Sequence, residues 1–156
     1  MSPLVWVVSL IFPACGGEGA AGLPVPVPMD MTRIERPATP NTFLAGPVGM
    51  QPVPDLIVAD QPMPPDALFA AARAVFGGQE RAFVAADFPT LRQIHYVVRS
   101  KLLNYPDLVT VQVTEAGADK SALTIWSRSI YGRKDFGVNQ ERTERWLATL
   151  QQANRK

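Results

Sequence analysis

Cysteine and histidine each occur once in these 156 residues. One cysteine excludes an intramolecular disulfide and a thiolate-rich metal site, and one histidine excludes a histidine cluster built within a single chain. Charge of either sign is also scarce in excess: the net charge is +1, so no global field recruits nucleic acid or a strongly acidic partner. Proline is nearly missing from the later part of the chain. Of the fifteen prolines only Pro89 and Pro106 lie beyond residue 65. What is present is ordinary for one globular domain, with 47% apolar and 19% charged residues.

The proline-dense part cannot hold long helices or central strands, because proline lacks a donor and fixes its φ. Its first stretch, "LVWVVSLIFPA" at residues 4–14, is apolar and runs directly into Cys15. Eleven residues fall short of the roughly 20 that a membrane-spanning helix requires. They match the apolar region of a secretory signal ending in small residues. A cysteine straight after Ala14 is similar to a bacterial lipoprotein signal, with Cys15 as the lipidated residue. The expected organisation is therefore an anchor over residues 1–15, a Pro/Gly-rich tether over 16–36, and a domain over 37–153.

Within the domain, "PPDALFAAARAVFGG" predicts a helix, with Asp66 as its amino-terminal cap and Gly77-Gly78 as its stop. Four strands follow: "RAFVAADF", "IHYVVRS", the alternating "LVTVQVTE", and its hairpin partner "ALTIWSRS". "NQERTERWLATLQQA" predicts a second helix, capped by Asn139, with Thr143, Trp146, Leu147 and Leu150 on its apolar face. The order helix, four strands, helix predicts an α+β domain: an antiparallel sheet of about four strands with both helices on one face.

Chemistry is hard to place on this chain. Ser127 or Ser129 with His95 and Asp107 supplies the residue types of a nucleophilic triad, but no GxSxG elbow surrounds either serine and His95 sits in a strand pattern. No spacing singles out an acid–base pair among Asp87, Asp107, Asp135 and Glu141. Tyr96, Arg99, Trp126 and Arg128 offer rings and cations for stacking on nucleic acid, yet a sheet with one packed and one solvated face accounts for them equally, and the near-zero charge argues against nucleic acid. The composition points to no cofactor and no metal.

The most unusual stretch is "SRSIYGRKDFGVN", residues 127–139. Gly132 and Gly137 permit positive φ in a tight connection. Asp135 can accept from turn amides or pair with Arg128, Arg133 or Arg142. These residues make a latch between the last strand and the last helix. Backbone amides, a helix amino terminus and arginines on one loop also describe an anion site, with Arg133 and Lys134 at its tip. Both readings stand on the sequence.

"SRSIYGRKDFGVNQERTERWL" resembles the carboxy-terminal signature of the bacterial domain-of-unknown-function family numbered 1499, which runs Ser-Arg-Ser, glycine, Asp-x-Gly-x-Asn, Arg and an amphipathic helix. "VVRSKLLNYPDLVTVQV" is similar to that family's strand, turn and valine-rich strand, and "ATPNTF" to its entry segment. Ser127, Arg128, Gly132, Asp135, Gly137, Asn139 and Arg142 match the signature and Asp107 its turn. The resemblance implies an envelope-associated bacterial protein, often membrane-tethered, without an established activity. The expectation is thus a non-enzymatic binding or structural domain, anchored by its amino terminus and facing the periplasm or exterior. An anionic lipid or glycan is its expected ligand. The alternative is a small envelope hydrolase or ligand-modifying enzyme using Asp107 or Asp135.

Overall fold

The proline-poor stretch supplies four adjacent strands of one sheet. In this computed structural model, which describes residues 3–155, the helices are α1 (Pro3–Ile11), α2 (Pro65–Gly77) and α3 (Val138–Ala153). The strands are β1 (Thr42–Gly46), β2 (Leu56–Ile57), β3 (Ala82–Phe88), β4 (Gln93–Arg99), β5 (Pro106–Gly117) and β6 (Lys120–Ser129). Met1 and Ser2 of the expected anchor segment, and Lys156, lie outside the described residues.

The domain is α+β, but its sheet differs from the expected four antiparallel strands. It has six, in the order β2-β1-β6-β5-β4-β3, and it is mixed because β1 and β2 run parallel. Both additional strands lie among the prolines. β1 has five residues and β2 two, so neither is long enough to display an alternating pattern. β1 is nevertheless well placed, pairing with β6 from Thr42↔Arg128 to Ala45↔Ile125.

Period-two alternation assigns each strand residue to a face. Ile94, Tyr96, Val109, Val111, Leu123 and Ile125 point to the side covered by α2 and α3. There Trp146 of α3 stacks on Phe76 of α2 at 5.0 Å between ring centres and meets Tyr96 edge-on at 5.7 Å. A tryptophan buries about 150–250 Å², so at about 25 cal/mol per Å² this side chain contributes up to roughly 4–6 kcal/mol of transfer free energy. The Glu141–Arg145 pair on the solvent side of α3, at 3.7 Å, is a minor term beside it.

Neither helix is capped as the sequence predicts. Pro64 and Gly137 hold the cap positions of α2 and α3, without a side-chain cap bond. Asp66 turns away to Arg92 at 2.6 Å. Asn139 lies inside α3 and is fully buried. The outer face of the sheet is not solvated either. Met31 and Ile34 of the proline-rich segment form a second apolar cluster there with Leu44 and Trp126. Met29 and the Gln93 side chain exchange two hydrogen bonds of 2.7 Å, fixing that segment on β4.

The strand directions define two ends. Arg99 pairs with Pro106 and Asp107 with Ser129, so the connections 100–105 and 130–137 lie together at one end. The β5–β6 hairpin turn lies at the other.

Candidate functional site

The signature residues divide between the two faces of the sheet. Beneath α3, Ser127 of β6 and Asp107 of β5 point toward the helix, and Arg142, in its second turn, reaches back to both. Its Nη2 donates to Asp107 Oδ2 in a short ion pair, and its Nη1 to Ser127 Oγ at 3.0 Å and Asn139 Oδ1 at 2.8 Å. Ser127 Oγ donates to Asn139 Oδ1 at 2.6 Å. Asn139 Nδ2 faces the Asn41 carbonyl at 2.9 Å, Ser129 Oγ at 3.0 Å and Asp135 Oδ2 at 2.7 Å. Asn41 Nδ2 closes the network on the Gly132 carbonyl at 2.9 Å. Asn139 thus ties the segment entering β1, β6, the connecting loop and α3 together.

Asp135 takes the role expected of Asn139. Its carboxylate accepts from the backbone amides of Gly137 at 3.1 Å and Asn139 at 3.0 Å, two of the donors left free at a helix start. Partial burial pushes its carboxyl up, but hydrogen bonds from Asn139 and Gly137 outweigh that and hold it below the usual carboxylate range. Asp135 pairs with none of the three arginines offered by the sequence, since Arg142 goes to Asp107. Gly132 and Gly137 have φ of 89° and 81°, the left-handed region that suits glycine. The helix terminus that looked like an anion site already holds an anion, the chain's own Asp135.

Asp107 is the one buried acid of the network. Burial pushes its carboxyl up, and Arg142 pulls it down without cancelling the rise. Ser127 and His95 lie on opposite faces, so the residue types of a triad are not brought together. His95 is instead a satisfied sheet residue, with Nε2 at 2.9 Å from Gln93 Oε1 and Nδ1 at 3.1 Å from Thr110 Oγ1. Tyr96, Arg99, Trp126 and Arg128 are likewise split: Tyr96 lies in the helix-side core, and Arg99 is engaged by backbone carbonyls of the amino-terminal segment.

On the outer face a cleft of about 1020 Å³ opens between the proline-rich segment and strands β4 to β6. Leu23, Val25, Val27, Leu108 and Trp126 supply apolar walls, and Arg33, Arg36 and Arg128 bring positive charge, with Glu35 among them. Arg36 is committed to both oxygens of Asp55, at 2.9 and 2.8 Å, and Arg33 lies 3.5 Å from Asp30. The Arg128 side chain makes no hydrogen bond or ion pair among the described residues. His95 lines the same cleft; burial lowers its pKa below 6.5 and the charge of Arg128 lowers it further. Asp107 and Asp135 do not line the cleft. Arg133 and Lys134 stand exposed beyond its rim at Gly132.

Residues 35–150 match a sequence family described as Protein of unknown function (DUF1499). The chain belongs to that family. No curated protein and no solved structure matches it. Both the network under α3 and the outward-facing Arg128 fall within the DUF1499 region, whereas the cleft wall before residue 35 lies outside it. Three site features escape the sequence pattern. Asn41 enters through its carbonyl as well as its side chain, Arg142 pairs with an acid 35 positions away, and Arg33 and Arg36 come from a segment that reads as tether. Only the "ATPNTF" resemblance pointed at Asn41.

The remaining expected site residue, Cys15, is fully buried in a short turn over residues 13–16, and burial pushes its thiol up. Among the described residues no helix is long and apolar enough to cross a membrane.

Proposed function

We propose that this chain is a non-enzymatic binding module of the bacterial envelope, held at the membrane by its amino-terminal segment and facing the periplasm or exterior. Its cleft on the outer face of the sheet takes a ligand bearing an anionic group, a lipid head group or an acidic glycan. The observation that carries this reading is Arg128: a cation in an amphipathic cleft whose side chain has no partner among the described residues, beside a histidine whose charged form burial disfavours. A guanidinium so placed suits phosphate or carboxylate, because its planar fork presents several donors at once. Apolar walls with a few converging polar groups are the usual make-up of a ligand site.

The hydrolase alternative needs an acid facing the ligand. Asp107 is spent on Arg142 and Asp135 on turn amides, and both lie away from the cleft. Lipidation at Cys15 requires residues 13–17 to swing outward, since the thiol is enclosed. Cys15→Ser should then release the chain from membranes or leave its signal uncleaved. An intact, unmodified Met1 on the membrane-bound protein overturns lipidation.

Native mass spectrometry of the full chain extracted from membranes tests the ligand. The expected result is a retained acidic lipid or glycan on the wild-type protein and its loss in Arg128→Glu. A wild-type chain that retains no anion, and binds neither short-chain phosphatidylglycerol nor an acidic oligosaccharide, sinks the reading.

A further inference from the structure

Exposed apolar side chains occur at both ends of this molecule, Val48, Val53 and Leu91 at the hairpin end among them, but the most exposed aromatic among the described residues, Phe136, lies at the other. At the end formed by the connections 100–105 and 130–137, Leu102 is 71% exposed and Phe136 93% exposed. Phe136 also has a φ of 54°, a left-handed conformation that a bulky side chain rarely adopts. A phenyl ring held in that conformation and covered by nothing in the domain contributes nothing to packing, and strain kept at an uncovered side chain points to a use outside the fold. Arg133 and Lys134 stand beside it, both exposed and without ion pairs among the described residues.

The segment proposed to enter the membrane is fixed at this same end. The ring of Phe12 lies 4.8 Å from Tyr131 and 5.8 Å from Tyr105, one aromatic on each connection. Arg99 Nη1 donates to the Ala14 carbonyl at 2.7 Å, and Asn104 Nδ2 to the Cys15 carbonyl at 2.6 Å. Before this clamp, α1 exposes Trp6, Val7, Leu10 and Ile11. Its nine residues, at about 1.5 Å each, reach less than half of a hydrocarbon core of roughly 30 Å. A helix that short and that apolar suits the interfacial layer.

We infer that the end carrying Leu102, Arg133, Lys134 and Phe136 is the face that meets an anionic lipid bilayer, so that the domain lies on the membrane in one fixed orientation and does not swing on a tether. Isolated bulky apolar side chains on two separate loops, flanked by cations, match an interface with apolar depth below a negatively charged surface. The clamp sets the geometry. With α1 as the anchor, the attachment point leaves the domain between these two loops. The inference rests on the membrane-held reading proposed above and adds the orientation.

The test uses the full chain with Phe136→Trp, reconstituted with vesicles of phosphatidylglycerol and phosphatidylcholine whose acyl chains are brominated. Bromine quenches indole fluorescence only at acyl depth. Trp126 and Trp146 are buried in the protein, so Trp6 alone contributes background. The expected result is quenching in Phe136→Trp clearly above wild type, with none added by Ala118→Trp in the hairpin turn at the far end. Arg133→Ala with Lys134→Ala should lower the vesicle-bound fraction several-fold at low salt, and the difference should vanish as salt screens the charges. If the chain floats with vesicles but Phe136→Trp is quenched no more than wild type, the orientation is wrong while membrane attachment stands. If it does not float at all, both fail. Circular dichroism of each variant confirms that it is folded.

Discussion

Ser127 and Ser129 point under α3 while Arg128, between them, points into the cleft on the opposite face. Three consecutive residues thus serve two regions of different character. Under α3 the main polar groups are mutually paired: Arg142 is spent on Asp107, Ser127 and Asn139, and Asp135 on the first amides of the helix. In the cleft the Arg128 side chain is left without a partner among the described residues. A network closed on itself holds a structure together and offers nothing to a ligand, whereas an unpaired arginine costs the fold little and keeps its donors available. The latch is thereby separated from the candidate binding site, which the sequence leaves merged with it in one loop.

The closed side breaks most severely at Arg142. Arg142→Met should destabilise the domain by about 3–5 kcal/mol, because Asp107 is left buried and unpaired. The loss should depend on pH. Without Arg142 the carboxyl is pushed further up, so the folded state binds a proton more tightly than the unfolded chain does. The variant is then most stable at acid pH and weakens as pH rises from about 4, the unfolded value, through its folded pKa. Adding Asp107→Leu should recover most of the loss, since an apolar pair can replace a buried ion pair. Urea unfolding across pH measures all of this, and a single-variant loss below about 1 kcal/mol, the scale of a surface pair, would show that the network is decoration.

Asp135 and Asn139 come next. Asp135→Ala should cost about 1–3 kcal/mol by leaving the amides of Gly137 and Asn139 without their acceptor. Its folded pKa is depressed, so its stabilisation is present above the unfolded value and is lost as pH falls through the folded one. Asp135→Asn should accordingly flatten the acid limb of the wild-type stability profile. Asn139→Ala should cost at least as much as Asp135→Ala, because Asn139 bridges four parts of the fold. As a simple cap it would cost only about 1 kcal/mol. Chemical denaturation of the two variants side by side tells a hub from a cap.

How much of this was legible in the sequence follows from the range of each signal. Alternation in β4, β5 and β6 reports a face for every residue, so the split of Ser127 from Arg128 is written in the strand. So is the burial of Thr143, Trp146, Leu147 and Leu150, which repeats at helical spacing. The Asp107–Arg142 pair is not, because it depends on the β5–β6 register and on where α3 docks. Asn139 misleads because two residues four apart compete for one set of amides; Asp135 wins them and frees Asn139 to turn inward. The cleft wall is invisible for another reason. Prolines announce an extended backbone but not what it lies against, and Met29 meets Gln93 across 64 positions.

The smallest effect on stability should come from the open side, and it sharpens the comparison most. The Arg128 side chain has no partner among the described residues to leave behind, so Arg128→Ala should change unfolding free energy by no more than about 0.5 kcal/mol. It should still be felt at His95. The histidine's pKa lies below 6.5 chiefly through burial, with the charge of Arg128 as the second cause. Removing that charge raises it toward the ordinary value. A base with a depressed folded pKa makes the protein lose stability as pH falls from about 6.5, since the unfolded chain then takes up the proton more readily. Arg128→Ala should therefore narrow this loss, and His95→Gln should abolish it. Proton NMR of the single imidazole reads the pKa directly. A titration unchanged in Arg128→Ala would mean that Arg128 does not face the cleft with His95, and the division of the motif between two faces would fall with it.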